Sequence, residues 1–495
     1  MAAPARTRPV SDSFNPLTPG VAGLHDVSSG RTDRSPRLRP AIASLATIAG
    51  LTMLLLLPAF FNGYPILFSD TADYLLRSET LLPSPIRAPG YAFWIRFTSA
   101  GSTLWLPVVA QAFFLAALLW QTLRAFGRAH PAETLGITFA LTVGTSIAWV
   151  SSKAMPDVFV ALVVLGLYLI ACHWTKIGWF GRALSIAAVF VGSTMHLTNV
   201  LVGCAVLVVI FVLRRRGPVN RQTARTLTGA TILLLASAVV TRGYESLRRD
   251  EPPQPFNGSM FVLSHLVETG LAQQLLQERC GSEQFALCPV RDTLTRSVDI
   301  FVWRPKESPR YFVLHDDPAL IRAETSRLLG GIVRNHPLAL AASVLGYTGR
   351  QLVAFRVNDE IWRHRHRTEV QRVIARMYPA DLPAQEVARQ QENTLRLPWT
   401  SMLHLVVFLA CAAFSLVMLS RASIERELRI DNAVGLHVIV WVALIANAAI
   451  CANLASVFSR YQSRVSWLLP FAVVITLLER GTLRWPRRSR VVAAA

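Results

Sequence analysis

Residues 158–172 read VFVALVVLGLYLIAC and carry no charged side chain. A helix that is apolar on every face has no side to offer to water, so it is buried in a large protein core or in a bilayer. Comparable stretches lie at 41–61, 104–123, 135–150, 401–420, 433–457 and 465–478. The run 183–213 is long enough for two short spans, and 227–240 is a weaker candidate. Because crossing ~30 Å of hydrocarbon takes roughly 20 residues, this pattern predicts an all-α polytopic membrane protein with about ten transmembrane helices.

The composition of the chain favours a membrane protein and argues against two other classes. Of its 495 residues, 52% are hydrophobic and 16% are charged, whereas charged residues make up roughly a quarter of an ordinary soluble enzyme. The net charge of +20 is compatible with nucleic-acid binding, but Lys and Arg fall beside the apolar stretches and in one long loop. They do not follow a groove lined with aromatic residues. We therefore expect membrane lipid, and no nucleic acid, among the partners.

Basic residues predict on which side of the membrane each loop lies, because excess Lys and Arg stays in the cytoplasm. The cytoplasmic markers are Arg31, Arg34, Arg37, Arg39, Arg124, Arg128, Lys176, Arg182, Arg214, Arg215, Arg216, Arg421, Arg426, Arg429 and the Arg residues of 484–490. About ten crossings place both termini in the cytoplasm of a bacterial inner (plasma) membrane. Because Arg182 before the run 183–213 and Arg214 after it are both cytoplasmic markers, this run is predicted to cross the membrane twice and to turn back at the outer face near 192–199.

The predicted spans divide the chain into segments. These are a disordered cytoplasmic tail at 1–40, an N-terminal transmembrane module with the candidate catalytic groups at 41–242 that includes an outer loop at 62–103, an extracytoplasmic region at 243–400, C-terminal transmembrane helices at 401–480 and a cytoplasmic tail at 481–495. The outer loop contains a helix-compatible segment, 71–82, which we expect to end before Pro83 and Pro85. The apolar stretch 338–355 is interpreted as an interfacial helix, since counting it as a span would reverse the side of every later basic loop.

Cys280 and Cys288 flank a short segment of the region 243–400. In an oxidising compartment, two Cys residues at this spacing predict a small disulfide loop. Two ligands of a zinc site are the alternative, but no His or Cys pair with suitable spacing follows them. A disulfide would agree with the charge pattern in placing the region 243–400 outside.

Two acidic residues stand at predicted outer ends of spans, where an ionisable group is costly unless it is solvated, paired or functional. Asp70 follows the first span, and Asp157 opens the fourth. Two carboxylates on one face suit a reaction in which a hydroxyl loses its proton, with one carboxylate acting as the base and the other orienting the acceptor or a cation. The alternative is that both residues cap helices, as Asp often does.

A basic cluster lies just before the last span, in the segment SRYQSR that contains Arg460, Tyr461 and Arg464. Paired guanidiniums can hold a phosphate through parallel hydrogen bonds. Contact with lipid headgroups is the alternative use of Arg at an interface. Arg87 is either a further phosphate or substrate contact or a turn residue, and His196 is either a substrate contact or a polar turn residue.

Taken together, these residues resemble the GT-C glycosyltransferases, the class that includes protein O-mannosyltransferases and bacterial aminoarabinose transferases. The likeness lies in an order of motifs along the membrane portion. An acid in the first outer loop has Tyr four positions on, an Arg-Ala-Pro-Gly-Tyr turn leads to span two, a second acid starts span four, and an Arg-Tyr pair precedes a late span with Pro. In this chain the motifs are Asp70 and Tyr74, residues 87–91, Asp157, and Arg460 and Tyr461 with Pro470.

The resemblance implies an inverting enzyme that moves a sugar from a polyprenyl-phosphate donor to an extracytoplasmic glycan, lipid or protein. Asp70 would be the catalytic base and Asp157 a second active-site acid, while Arg460 and Arg464 would bind the carrier phosphate. Beyond what the resemblance implies, we expect the remaining substrate contacts to be Asp73, Tyr74, Arg87, Tyr91, His196 and Tyr461. Many members carry a second acid directly after the first, whereas Thr71 stands here, so the need for a divalent cation stays open.

A transporter or flippase of a lipid-linked or amphipathic solute is the main alternative function. It would share the many spans and the outer basic residues. It also predicts polar groups deep within spans and helices interrupted at mid-membrane, and the sequence shows few of either. The candidate acids cluster near one face, which favours surface chemistry.

Overall fold

The computed structural model describes residues 38–84, 87–215, 221–247, 258–304, 306–359, 361–364, 368–424 and 432–482. Helix accounts for 78% of it, and the described residues form no β-strand. Contacts divide the chain into Met1–Ala43, of which residues 38–43 are described and helical, and the compact unit Ser44–Ala495. Most of the predicted N-terminal tail, the markers Arg216, Arg426 and Arg429, and the C-terminal tail from residue 483 lie outside the described residues.

The first half of the chain is mostly helical, and the predicted outer loop 62–103 itself contains two short helices. Its helices are α1 (Leu38–Leu55), α2 (Leu57–Asn62), α3 (Thr71–Thr80), α4 (Gly90–Ser99), α5 (Trp105–Ala125), α6 (Pro131–Gly144), α7 (Ile147–Ser151), α8 (Phe159–His173), α9 (Trp179–Met195), α10 (Leu197–Arg215) and α11 (Arg221–Leu247). A short 3₁₀ turn, Pro156–Val158, leads into α8.

The second half begins with mostly short helices, and its long apolar helices follow near its end. Its helices are α12 (Gly258–Glu268), α13 (Leu271–Arg279), α14 (Val298–Trp303), α15 (Pro309–Phe312), α16 (Pro318–Asn335), α17 (Pro337–Val353), α18 (Glu369–Met377), α19 (Leu382–Glu386), α20 (Arg389–Glu392), α21 (Pro398–Ile424), α22 (Ala433–Leu454), α23 (Ser459–Ser466) and α24 (Leu468–Glu479). Two 3₁₀ turns, Cys288–Thr293 and Pro379–Asp381, join neighbouring helices.

Helix α8, which contains the apolar stretch 158–172, lies at the centre of the main hydrophobic core. Every residue from Phe159 to Ala171 is buried. The helix packs against α5, α9, α10, α11 and α22. Its all-round apolar surface is therefore covered by other helices, whereas only 33%, 17% and 22% of the residues in the apolar stretches of α10, α11 and α21 are buried.

Seven helices in the described part of the chain are long and apolar enough to cross a membrane. They are Trp105–Ala125, Pro156–His173, Leu197–Arg215, Ala224–Tyr244, Pro398–Ile424, Ala433–Leu454 and Ser459–Glu479. Helices α16 and α17 form a pair bent by 108°, which makes an eighth candidate if the pair is one span. The structure supports an all-α polytopic membrane protein, and the predicted number of about ten spans is not confirmed.

The other predicted spans are shorter or divided. Ala41–Leu55 and Trp179–Met195 are apolar but shorter than the seven candidates. The stretch 135–150 is divided at Thr145, whose extended backbone separates α6 from α7. A tertiary contact accompanies this break, because the Ser146 hydroxyl donates to the Ser463 carbonyl of α23 at 2.5 Å.

The structure shows the backbone of three segments for which the sequence made local predictions. The run 183–213 breaks at His196, which has extended backbone between α9 and α10 and lies inside the predicted turn 192–199. The predicted helix 71–82 is α3, which ends at Leu81 in a left-handed conformation with φ of 53° before the chain reaches Pro83. The stretch 338–355 forms α17, of which Gln351 is the buried residue.

A second hydrophobic core lies within the region 243–400. Helices α12, α13, α14 and α16 contribute to it. A disulfide bond joins Cys280 and Cys288, as predicted from the sequence. Phe285 and Leu287, which lie inside the disulfide loop, are buried in this core, so the loop is held by packing as well as by the covalent bond.

Candidate active site

The first loop is aligned with the segment that precedes Asp157. Ile66 and Lys153 form a parallel backbone bridge: the Ile66 amide donates to the Ser152 carbonyl at 3.0 Å, and the Ala154 amide donates to the Ile66 carbonyl at 2.9 Å. The Thr71 hydroxyl donates to the Ala154 carbonyl at 3.2 Å. Thr71, the residue directly after Asp70, therefore ties the first loop to the segment that leads to Asp157.

A neutral amide from the region 243–400 holds the other side of this loop. Gln390 accepts a hydrogen bond from the Leu67 amide at 2.9 Å and donates to the Leu67 carbonyl at 2.7 Å. Its side chain also donates to the Trp362 carbonyl at 2.9 Å, and its backbone amide donates to Asn62 Oδ1 at 2.7 Å. The backbone three residues before Asp70 is thus fixed on two sides.

A buried carboxylate anchors both ends of the loop. Asp381 Oδ2 accepts hydrogen bonds from the Tyr64 hydroxyl at 2.8 Å, the Thr103 hydroxyl at 3.0 Å and the Leu104 amide at 2.9 Å. Residues of the region 243–400 therefore position the loop that carries Asp70.

Asp70 is held by two guanidiniums. Arg87 Nη2 lies 2.8 Å from Asp70 Oδ1, and Arg460 Nη1 lies 2.9 Å from Asp70 Oδ2. Arg87 also reaches Asp73, with 2.9 Å between Nε and Oδ2. Although Asp70 precedes α3, its side chain makes no capping hydrogen bond. The helix-capping alternative does not account for this carboxylate.

Asp157 lies beside the same cluster but is held less closely. Arg460 Nε is 4.0 Å from Asp157 Oδ2, and Arg464 Nη1 is 3.9 Å from Asp157 Oδ1, both beyond hydrogen-bond length. Asp157 is 4% exposed, and its Oδ2 has no hydrogen-bond partner among the described residues. A buried carboxylate oxygen without a partner can accept a hydrogen bond from a substrate.

Arg464 is fixed by polar side chains from two other helices. It is 2% exposed and donates to Asn447 Oδ1 through Nε at 3.1 Å and Nη2 at 2.8 Å. Its Nη2 also donates to the Thr198 hydroxyl at 3.1 Å and contacts Cys451 Sγ at 3.0 Å. Helix α23 begins at Ser459, so Arg460 and Arg464 lie in the first turns of the last candidate span, not before it as predicted.

Aromatic rings surround the charged cluster. The Arg460 guanidinium lies over Phe68 at 4.3 Å and over Tyr461 at 5.1 Å from the ring centroids. Tyr74 lies under Arg87 at 5.3 Å and meets Tyr91 edge-on at 5.2 Å. Flat guanidinium–ring contacts hold the arginines in place without using their hydrogen-bond donors.

Gly90 joins the Arg87 loop to the His196 turn. A Cβ at Gly90 would lie 2.4 Å from the Thr194 carbonyl oxygen, so only glycine permits this approach. The sequence predicted that the turn 87–91 leads to span two. Instead Gly90 begins the short helix α4, and a further turn separates α4 from α5.

His196 presents a neutral hydrogen-bond donor. Its Nδ1 accepts from the Thr198 backbone amide at 3.2 Å and lies 2.8 Å from the Thr198 hydroxyl. A backbone amide only donates, so the proton of the neutral ring lies on Nε2. Burial, together with Arg464, Arg460 and Arg87, lowers the pKa of His196 to about 3, which keeps the ring neutral at physiological pH.

The charge of the other groups follows from their surroundings. Burial raises the pKa of Asp70, but the Arg87 and Arg460 guanidiniums outweigh this effect and lower the pKa to about 2. Burial also raises the pKa of Tyr74 to about 12. Asp70 is therefore a carboxylate and Tyr74 a neutral phenol across the physiological range.

The structure brings all of the predicted site residues into one contiguous network, apart from the separate disulfide pair. The cavity beside Tyr74 and Arg87 measures about 10 Å³. Among the described residues, no group of three or more His, Cys, Asp or Glu side chains is arranged to hold a metal ion.

Sequence reasoning missed several residues that shape the site. Phe68 and Thr198 gave no pattern that marks them, and Gln390 lies far away in the sequence. Asn447 offered a usable signal, since a polar side chain within the apolar stretch 433–457 is costly unless it has a partner.

Comparisons with protein-family models, with curated proteins and with solved structures found no match to this chain.

Proposed function

We propose that the chain is an integral-membrane glycosyltransferase of the GT-C type. It would move a sugar, with inversion, from a polyprenyl-phosphate donor to an extracytoplasmic glycan, lipid or protein. The observation that supports this most is the position of Arg460 between two carboxylates, 2.9 Å from Asp70 and 4.0 Å from Asp157. A cation suited to phosphate thus lies beside groups that can accept a proton, the combination that glycosyl transfer needs.

In the proposed reaction, the acceptor oxygen attacks the anomeric carbon as the bond from that carbon to the phosphate oxygen breaks. The electron pair of the broken bond stays on the phosphate, and the hydroxyl proton passes to Asp70. The phosphate gains one negative charge as Asp70 loses one. Because Arg87 and Arg460 contact Asp70 in the substrate-free protein, both can shift from the carboxylate to the phosphate as the charge moves.

The same contacts explain how a strongly acidic Asp70 can act as a base. With a pKa of about 2 it attracts a proton only weakly. A bound phosphate competes for the two guanidiniums that lower this pKa, and burial, which raises the pKa, is then less opposed. Donor binding would therefore strengthen the base.

The remaining residues receive roles from their contacts. Arg464, fixed by Asn447, would hold the phosphate together with Arg460. The unpartnered Oδ2 of Asp157 would accept a hydrogen bond from a sugar hydroxyl. His196 would donate from Nε2. Tyr74, Tyr91 and Tyr461 would line the sugar site, while Asp73 holds Arg87.

A transporter or flippase remains the second candidate, and one observation favours it. Helices α16 and α17 meet at a 108° bend, and interrupted helices are typical of transport sites. At the bend itself, His336 pairs with Glu278 at 2.9 Å, and neither residue belongs to the charged network.

A detergent-solubilised assay separates the two functions, because transport needs a closed compartment and transfer does not. Purified protein would be mixed with lipid and glycan extracts from cells that lack the gene, and the products analysed by mass spectrometry. Formation of a glycoconjugate that is missing from those cells is expected. No product from the solubilised protein, with movement of a lipid-linked sugar in proteoliposomes, would favour the transporter instead.

A further inference from the structure

A second site lies at the opposite end of α8 from Asp157. A cavity of about 440 Å³ opens between α8, α9 and α11. It is lined by Ile170, Trp174, Ile186, Gln222, Arg225, Thr226, Gly229, Ala230 and Leu233. Residue 174 follows Asp157 by 17 positions, which is about 25 Å along a helix at 1.5 Å per residue. This distance is close to the hydrocarbon thickness of a bilayer, so the cavity lies near the other membrane surface.

The walls of the cavity are amphiphilic. Ile170, Ile186 and Leu233 provide an apolar surface, while Gln222 and Arg225 provide hydrogen-bond donors at the N-terminal end of α11. A cavity with a hydrocarbon wall and a cationic mouth fits an acyl chain joined to an anionic headgroup.

The charge around the cavity has one sign. No Asp or Glu occurs from residue 158 to 244. The basic residues near this end of α8–α11 are Lys176, Arg182, Arg214, Arg215, Arg221 and Arg225. Arg182 and Arg214 donate to the Trp174 and Ala171 carbonyls at the end of α8, each at 3.1 Å. Arg225 is exposed, and no carboxylate of the described residues lies within 4.0 Å of it.

Small residues on α11 create the space. A Cβ at Gly229 would meet nothing within 4 Å, so a larger side chain there would occupy the cavity without displacing a neighbour. The adjacent Ala230 is also small.

From these observations we propose that this cavity is a binding site for an anionic phospholipid, with one acyl chain between α8, α9 and α11 and the headgroup at Arg225 and Gln222. The site is separate from the charged network around Asp70 and does not depend on the proposed transfer reaction. Positive charge at this end also agrees with its predicted cytoplasmic side.

The test is native mass spectrometry of the purified full chain, titrated with dioleoyl phosphatidylglycerol and with dioleoyl phosphatidylcholine. The wild type should retain one phosphatidylglycerol in preference to phosphatidylcholine. Arg225→Gln should weaken this binding about fivefold, because Arg225 is the basic residue that lines the cavity. Gly229→Leu should abolish it by filling the cavity, and leucine suits a helix better than glycine does.

Two control variants sit on the same helix. Arg221→Gln removes an exposed charge one turn earlier, and Gly243→Leu adds a side chain where a Cβ also meets nothing within 4 Å. Both should bind as the wild type does. Equal binding of the two lipids, an equal loss in Arg221→Gln, or full binding by Gly229→Leu would overturn the proposal. Displacement of phosphatidylglycerol by equimolar undecaprenyl phosphate would also overturn it and would favour a transport role.

Discussion

Replacing Asp70 with Asn is predicted to change turnover and carrier binding in opposite directions. The substitution removes the proton acceptor, and loss of a general base lowers kcat by roughly 10²- to 10⁴-fold. It also removes the negative charge that Arg87 and Arg460 contact at 2.8 and 2.9 Å. Both guanidiniums then lack their main competitor for phosphate, so the affinity for polyprenyl phosphate should rise.

The size of this rise follows from the pKa of Asp70, which lies at about 2 instead of the ordinary 3.8. A difference of roughly two pKa units corresponds to about 2–3 kcal/mol of net stabilisation of the carboxylate by its surroundings. If phosphate no longer has to overcome this stabilisation, its affinity should increase by up to about 100-fold.

The assay compares binding of undecaprenyl phosphate, measured by native mass spectrometry, with transfer by the same preparations. Glu79→Gln is the matched control: it removes an exposed acid from the same helix α3, where Glu79 pairs with Arg376 and does not contact Arg87 or Arg460. Turnover near wild type in Asp70→Asn would remove Asp70 as the base. Unchanged or weaker phosphate binding would refute competition for the guanidiniums.

The contacts of Asp70 with Arg87 and Arg460 should also make the stability of the protein depend on pH. The pKa of Asp70 is lower in the folded chain than the ordinary 3.8, so its stabilising contribution is present above about pH 4 and is lost as the pH falls through about 2. The melting temperature of the wild type should therefore drop toward that of Asp70→Asn between pH 5 and about pH 2. A constant difference between the two proteins across this range would contradict the assignment.

Three further substitutions probe the surroundings of the site. Gln390→Ala removes the amide that bonds Leu67 on both sides, so kcat should fall by about tenfold or more while undecaprenyl phosphate binding stays within about twofold; equal losses of both would indicate a purely structural role. His196→Gln keeps a hydrogen-bond donor near the position of Nε2 and should retain most of the wild-type kcat/KM, whereas His196→Asn should lose about tenfold. Because the pKa of His196 lies at about 3, the pH profile of the wild type should show no transition near pH 6.5 that these two substitutions remove. Cys280→Ser opens a disulfide loop with a sequence separation of 8 and should lower the free energy of unfolding by about 2–3 kcal/mol; a reductant should destabilise the wild type equally, and no effect of either change would speak against the bond.

The apolar helices and the charged residues of the candidate site could be predicted because their signals are local. An apolar stretch such as 158–172 requires burial wherever it lies, and every residue of α8 from Phe159 to Ala171 is buried. Asp70 and Arg460 are 390 residues apart, yet each stands at the end of a predicted span. The order of the predicted spans puts both on one side of the membrane, and the structure shows them in contact.

The supports of the site could not be predicted, since they depend on contacts that leave no pattern. Gln390 forms a hydrogen bond with the backbone of Leu67, 323 residues away. Since every residue has a backbone carbonyl, the sequence does not show which one a glutamine will contact. The break at Thr145 lies within a continuous apolar stretch and accompanies a contact between Ser146 and Ser463. In both cases tertiary structure decided what the local sequence left open.

The distance along the chain between Asp70 and Arg460 has a consequence for biosynthesis. At a translation rate of ~5–20 residues per second, Arg460 emerges roughly 20–80 s after Asp70. Until then a nascent chain carries the acid without one of its two guanidinium partners. A polypeptide that stops before α23 would contain the whole first loop, but it would lack both of the arginines proposed to hold the carrier. An incomplete chain released into the membrane should therefore leave the pool of lipid-linked sugars untouched.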